Sequence, residues 1–201
     1  PHVIRVTSRD PAPPPVEYIA TSGGLFNDMM IHDFDMVRYL SGSDVTEVYT
    51  NGVVLVDPAI GEAGDVDTAT VSATMANGAL ALIDNSRQAV YGYDQRAEVF
   101  GSKGCVQNGN DLPSTMVLST VDGIVSEKPL WFFLERYMAS YQAEVCSFVD
   151  SIVNDTDTEA GIADGRRTIQ LALACNKSMD QNRPVPIYEN DDDGADLLFD
   201  N

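Results

Sequence analysis

Basic residues are scarce in this chain. Twelve Lys and Arg stand against thirty-one Asp and Glu over 201 residues, a formal net charge of −19. Such a surface repels phosphate backbones and anionic lipid, which argues against nucleic-acid and membrane-surface roles. A high-salt habitat and plain solubility both account for the excess. Cysteine is sparse too: Cys105, Cys146 and Cys175 are odd in number, far apart and without CxxC spacing. That pattern argues against a disulfide framework or a zinc site and reads as reduced, intracellular thiols in a cytoplasmic protein. No apolar run reaches membrane-spanning length, and no signal peptide opens the chain. There is no initiator Met, and Pro1 already lies in a strand pattern, so the chain reads as an excised part of a longer protein. Motifs of the GxGxxG, P-loop, GxSxG and HExxH types are absent, and there are no internal repeats.

What is present suits one well-cored domain, residues 1–188, followed by an acidic tail, 189–201, that includes Asp191-Asp192-Asp193-Gly194. His2-Val3-Ile4-Arg5-Val6-Thr7-Ser8 alternates like a strand. Asp10-Pro11-Ala12-Pro13-Pro14-Pro15 forbids both helix and central strand, so it is a stiff, extended connection. Ser22-Gly23-Gly24 then offers entry to a helix that runs to about Leu40 and stops at Ser41-Gly42. From Val45 the pattern is of strands: 45–50, 53–56, 67–75, 79–86, 96–101, 105–107 and a further piece at 116–119, with 61–65 as an exposed loop. Asn77-Gly78 between two β-rich runs is a hairpin signal, and Ser102-Lys103-Gly104 reads as another turn. The final third is helical. Apolar residues from Phe133 to Ile152 fall at three- and four-residue steps, a stripe expected to be buried. A last helix is expected to start after Asp157-Thr158 and run to about Met179. The sum is an α+β fold: an open, mainly antiparallel sheet with helices packed on one face.

The chemistry concentrates in the first long helix. Asp28 and His32 are four apart, so on a continuous helix they share a face, and a His–carboxylate pair beside an apolar wall suits proton transfer. An amphipathic helix whose polar stripe happens to hold a histidine has the same spacing. Metal binding by Asp28, His32 and Asp35 is disfavoured, because three ligands on one helix splay, so no metal is expected. Arg5 and Asp10 lie within reach of a ligand at this end of the chain, or are solvated loop charges.

The order of elements carries more. Gly23-Gly24-Leu25-Phe26-Asn27-Asp28-Met29-Met30-Ile31-His32-Asp33-Phe34-Asp35 resembles the signature helix of the glucose–fructose oxidoreductase and inositol dehydrogenase (Gfo/Idh/MocA) family, in its C-terminal half. Tyr91-Gly92-Tyr93-Asp94, Gly101-Ser102-Lys103-Gly104, Phe133-Leu134-Glu135-Arg136-Tyr137 and Asp164-Gly165 support the resemblance, which spans residues 1–187 and is nearest to the inositol 2-dehydrogenase branch. The resemblance implies that His32 takes a proton from a substrate hydroxyl, that Asp28 contacts substrate and base, and that Tyr91 contacts substrate. Arg5 and Asp10 would add polar contacts to a polyol or sugar. It implies NAD or NADP as cofactor, bound mainly by an N-terminal domain with no counterpart here, so no cofactor-binding residue is expected in this chain, which alone would be inactive. It also implies a dimer or tetramer formed through the open sheet face. A non-catalytic module for self-association or carbohydrate binding, retaining the fold, is the alternative.

Overall fold

The first strand, β1 (Val3–Arg9), alternates as its sequence requires: Ile4 and Val6 are buried and Arg5 is exposed. In the computed structural model, which describes residues 1–187, β1 lies in the middle of a seven-stranded sheet. It runs parallel to β4 (Leu80–Ser86) and antiparallel to β5 (Asp94–Gly101). A parallel neighbour needs a long crossover. Residues 10–79 supply it, with helices α1 (Val16–Ser22), α2 (Leu25–Asp28), α3 (Ile31–Ser41) and α4 (Pro58–Glu62) and strands β2 (Val45–Val53) and β3 (Thr68–Met75). The pairs β2–β3, β3–β4, β5–β6 (Gly104–Asn108) and β2–β9 (Val185–Pro186) are antiparallel. The sheet is therefore mixed but mainly antiparallel, in the α+β class that the sequence predicts. Gly78, with φ of +84°, closes the β3–β4 turn, and Gly101 pairs with Gly104 across the β5–β6 turn.

One face of this sheet makes the core. Ile4, Val6, Val48, Val71, Ala73, Ala81 and Ile83 meet Leu25, Phe26, Met30, Phe34 and Val37 from α2 and α3. Leu171, Ala174 and Cys175 from α7 (Ile162–Gln181) close the layer. Each large apolar side chain taken fully from water stabilises the fold by about 1.5–3 kcal/mol. Burial pushes the Cys175 thiol up to about 12, so it is inert, whereas Cys105 and Cys146 are exposed. The opposite face stays open, with a shallow groove lined by Arg5, Thr7, Tyr49, Asn51, Ser72 and Leu82.

Several expectations are corrected. The long first helix is three pieces. Gly23, at φ +88°, ends α1, and Gly24 opens α2. The Met30 N–H reaches back five residues to the Leu25 carbonyl (3.0 Å), which interrupts the helical ladder before α3 begins. The expected strands 45–50 and 53–56 are one strand ending at Val53, because the next turn is captured elsewhere. The N–H groups of Leu55, Val56 and Asp57 all donate to the carboxylate of buried Asp67, at 2.9, 2.7 and 3.1 Å. Part of the expected 61–65 loop is α4, whose N-terminus is capped by Asp57 through the Ala59 N–H (2.9 Å).

The strand expected near 116–119 is not in the main sheet. It forms a separate hairpin of β7 (Val117–Thr120) and β8 (Gly123–Ser126). The expected helix over 133–152 breaks at Tyr137 into α5 (Phe133–Arg136) and α6 (Met138–Asn154). Its apolar stripe is not buried: Val145, Phe148 and Ile152 are 63%, 55% and 64% exposed. Helix α7 starts after Gly161, not after Thr158, with the Asp164 carboxylate accepting the Gly161 N–H (2.9 Å). The expected boundary at 188 and the acidic 189–201 tail lie outside the described residues.

Burial alone would push the Asp67 carboxyl up. The three backbone N–H donors and the Thr68 hydroxyl outweigh it and hold the group below the usual carboxylate range. A lowered carboxyl contributes stability that is present above its unfolded value and is lost as pH falls through its folded one. Asp67→Ala is expected to cost about 3 kcal/mol at neutral pH by leaving buried donors unpaired. In urea unfolding the deficit should shrink as pH falls below the ordinary carboxylate range, where the native carboxyl also protonates. A variant of native stability at neutral pH would remove Asp67 as the organiser of this turn.

Candidate active site

Parallel pairing puts the C-terminal ends of β1 and β4 side by side, next to the first residue of β5. The residues at and just beyond these ends meet α2 and the start of α3. Arg87, one residue past β4, is the largest fully buried side chain among the described residues, 1% exposed. Its Nη1 donates to Asp28 Oδ2 at 2.9 Å and its Nη2 to Asp65 Oδ2 at 3.4 Å. Asp65 Oδ1 in turn accepts the N–H of Leu25, the first residue of α2, at 3.0 Å. Asp28 is the last residue of α2, and its other oxygen accepts the Tyr18 hydroxyl at 2.5 Å. Asp10 faces the same group. Burial pushes its carboxyl up to about 6, against the Arg87 charge and with the Asp28 charge. Three carboxylates thus surround one guanidinium.

A second cluster lies one turn further along. Asp33 in the first turn of α3 is buried and accepts from Ser8 Oγ at 2.5 Å and Asn85 Nδ2 at 2.7 Å. Burial dominates over these two neutral donors and pushes the carboxyl up to about 7. Tyr93 and Tyr137 close this side with ring centroids 5.9 Å apart, edge to face. The Tyr93 hydroxyl is held well above its ordinary value by burial first, then by Tyr137, Asp10 and Asp33.

The structure brings together some of the expected residues and separates others. Asp10 and Asp28 meet around Arg87. His32 is exposed at the second position of α3 and makes no hydrogen bond among the described residues, while the Asp28 oxygens are engaged by Arg87 and Tyr18. Arg5 is a correction: strand alternation puts it opposite Ile4 and Val6, on the open face, where it pairs with Glu98. Tyr91 is tied elsewhere as well. Its hydroxyl donates to Asp94 Oδ2 at 2.5 Å and accepts from Arg9 Nη1 at 3.3 Å. Tyr93, two residues on, is the tyrosine beside Asp10 and Asp33. Arg87, Asp65, Tyr18 and Asp33 were missed. Arg87 alone gave a signal, as a lone cation closing a strand in an acid-rich chain. No group of three His, Cys, Asp or Glu side chains suited to a metal occurs among the described residues.

The comparison with known proteins is specific. Residues 1–107 match the model of the GFO/IDH/MocA C-terminal domain, and the chain belongs to that family. It is 51% identical over 189 residues to a myo-inositol 2-dehydrogenase of Thermotoga maritima, covering 94% of this chain and 57% of the relative. Among solved structures, a myo-inositol dehydrogenase from Corynebacterium glutamicum matches at 38% identity with a TM-score of 0.90, over 94% of this chain and 57% of that one. A scyllo-inositol dehydrogenase from Lactobacillus casei, solved with NAD(H) and scyllo-inositol, matches at 28% identity and TM-score 0.82, over 92% and 56%. The chain therefore spans little more than half the length of the curated relatives it matches. Among the described residues no helix is long and apolar enough to cross a membrane.

Asp33 and Asp10 both bind a proton more tightly in the folded state than an ordinary carboxyl does. Their contribution to stability is complete below the unfolded value and is lost as pH rises toward about 6 for Asp10 and about 7 for Asp33. Urea midpoints are expected to fall between about pH 4 and about pH 7 and to level off above it, and Asp33→Asn to flatten that fall. A wild-type midpoint constant across this range would show that the two groups are not buried as described.

Proposed function

We propose that this chain is the substrate-binding half of an NAD(P)-dependent oxidoreductase acting on the CH–OH of a polyol or sugar, of the myo-inositol 2-dehydrogenase kind. The observation that carries the reading is the Asp28 carboxylate, fixed at the end of the sheet by a buried cation, with His32 at the start of the next helix. A module kept only for self-association has no need of a buried guanidinium at this place.

The residues here do not fit a dinucleotide. A pyrophosphate calls for free N–H groups or cations, whereas this end of the sheet presents Asp10, Asp28 and Asp65, and its one buried cation is engaged by two of them. The nicotinamide, which supplies the hydride acceptor when bound, is therefore held by parts of the protein outside this chain. What the chain does is hold and deprotonate the alcohol. Asp28 and the Tyr18 hydroxyl, whose proton is given to Asp28, offer acceptor oxygens to vicinal hydroxyls, and Asp10 adds a third polar group. His32, exposed and free to accept, takes the hydroxyl proton on its imidazole nitrogen as the carbon is oxidised. In the full-length protein His32→Ala is expected to lower turnover of myo-inositol roughly 10²–10⁴-fold, the usual scale for a general base. Turnover near the native value would return His32 to the surface.

The open sheet face supports self-association. Leu80, Leu82 and Phe100 are 48%, 43% and 46% exposed on a flat, strand-built surface. Light scattering is expected to show a dimer or tetramer, and Leu82→Glu to shift it toward monomer. A clean monomer at high concentration would count against this face as an interface.

A further inference from the structure

We infer that Arg87 is the positioning residue of this site: it sets the orientation of the Asp28 carboxylate toward the polyol without touching the polyol itself. The inference rests on the reading of Asp28 as a substrate contact and goes beyond it by assigning what aims that carboxylate. At 1% exposure Arg87 has no surface to offer a ligand, so any part it plays passes through its partners. Those partners are placed tellingly. Nη1 holds Asp28 at the C-terminal end of α2, and Nη2 holds Asp65, which caps the N-terminal end through Leu25. One planar fork therefore spans a helix of four residues.

A single turn cannot hold its own shape, since nucleation of a helix is unfavourable. Leu25 and Phe26 anchor its apolar side in the core, but α3 does not continue its ladder, which is interrupted where the Met30 N–H bonds the Leu25 carbonyl. The direction of the Asp28 side chain is thus left to Arg87 and Tyr18. Arg87 occupies Oδ2, so a hydroxyl ligand meets the Oδ1 side, where the half-exposed Tyr18 hydroxyl already donates and Oδ1 keeps a second lone pair. The guanidinium is also costly where it sits, since its Nε is buried without a partner. A core that needed only bulk here would do as well or better with an apolar side chain. Retention of an imperfectly paired buried cation at the end of the sheet is what a site-aiming role requires. A lysine would keep the charge but not the span, because one ammonium lacks the fork that reaches two carboxylates at once.

The test uses the full-length protein that carries this chain, with myo-inositol and NAD⁺ as substrates and NADH formation as the readout. The variants are Arg87→Lys, Asp28→Asn and the two combined. Arg87→Lys is expected to lower kcat/KM for myo-inositol about 10²-fold, the scale of a small misplacement of a contacting group, with KM for NAD⁺ unchanged. In the Asp28→Asn background the same change is expected to add nothing further, as for two residues acting through one contact. Losses that multiply, or KM values that rise alike for both substrates, would make Arg87 merely structural and overturn the inference. If Arg87→Lys gives no cooperative melt, Asp65→Asn, which removes one of the two carboxylates on the Arg87 fork and leaves its bond to Asp28, is read in the same cycle with the same expected pattern. A fall in Asp28→Asn with native kcat/KM in Arg87→Lys would sink the role of Arg87 alone. Native kcat/KM in Asp28→Asn would sink the reading of the site, and this inference with it.

Discussion

Everything at the candidate site depends on the parallel pairing of β1 with β4. Had β1 paired antiparallel with both neighbours, the ends of β1 and β4 would lie on opposite edges, and Ser8 and Asp10 would be a strand's length from Asn85 and Arg87. The parallel register, Ser8 beside Asn85 and Arg9 beside Ser86, puts four polar positions within one patch. It is made possible by a crossover long enough to include α1 to α4, β2 and β3. The same crossover delivers α2 and α3 to that patch. Topology, more than any local motif, makes neighbours of residues that are far apart in sequence.

Within that frame, the environment sorts one kind of side chain into two behaviours. Asp67, Asp94 and Asp33 are all covered from solvent, but Asp33 lies the deepest and is raised while the other two are held low. For all three, burial pushes upward. Asp67 is answered by three backbone N–H groups, and Asp94, at about 2, by Arg96 first and then by Tyr91 and Asn110. Asp33 has only a serine and an amide and stays near 7. An acid-rich chain with few cations places them with care: Arg96 and Arg9 sit at Asp94, Arg38 joins Asp35, Asp44 and Asp164, and Arg87 holds the site. The excess of acid therefore extends inward, where Asp33, Asp67 and Asp94 are buried with Arg87 and are answered by hydrogen-bond donors as much as by cations.

Much of the fold was legible because it is written in local periods. The alternation of β1, β3 and β4, the Asn77-Gly78 turn and the apolar spacing of α3 and α7 all read correctly, and with them the α+β class. What was not legible needed tertiary information. The interruption at Met29 and Met30 leaves no mark on the apolar spacing, so Asp28 and His32 read as one face of one helix when they belong to two. Strand 45–53 read as two because nothing local shows that Asp67, a dozen residues on, captures the turn after Val53. Arg5 read as a site residue because its closeness to Asp10 in sequence hides the fact that they serve opposite faces of the sheet. Arg87 escaped because a buried cation is recognised by its partners, and Asp28 and Asp65 are distant in the chain. The apolar stripe of α6 reads correctly as a stripe, and spacing alone carries no information on its exposure.

The one-turn helix α2 has a consequence for the order in which the molecule assembles. Its two anchoring contacts join residues 40 and 59 positions apart. Contacts of such separation carry a large loop-closure entropy, which is recovered only after nearer structure has formed. The β3–β4 hairpin and α3 need no such closure. By that measure the ends of α2 close after the β3–β4 hairpin and α3 but before the parallel β1–β4 pairing, whose partners lie 77 positions apart. The site needs both closures, because Asp28 is held from within the crossover while Ser8 and Asn85 lie side by side only once β1 and β4 pair.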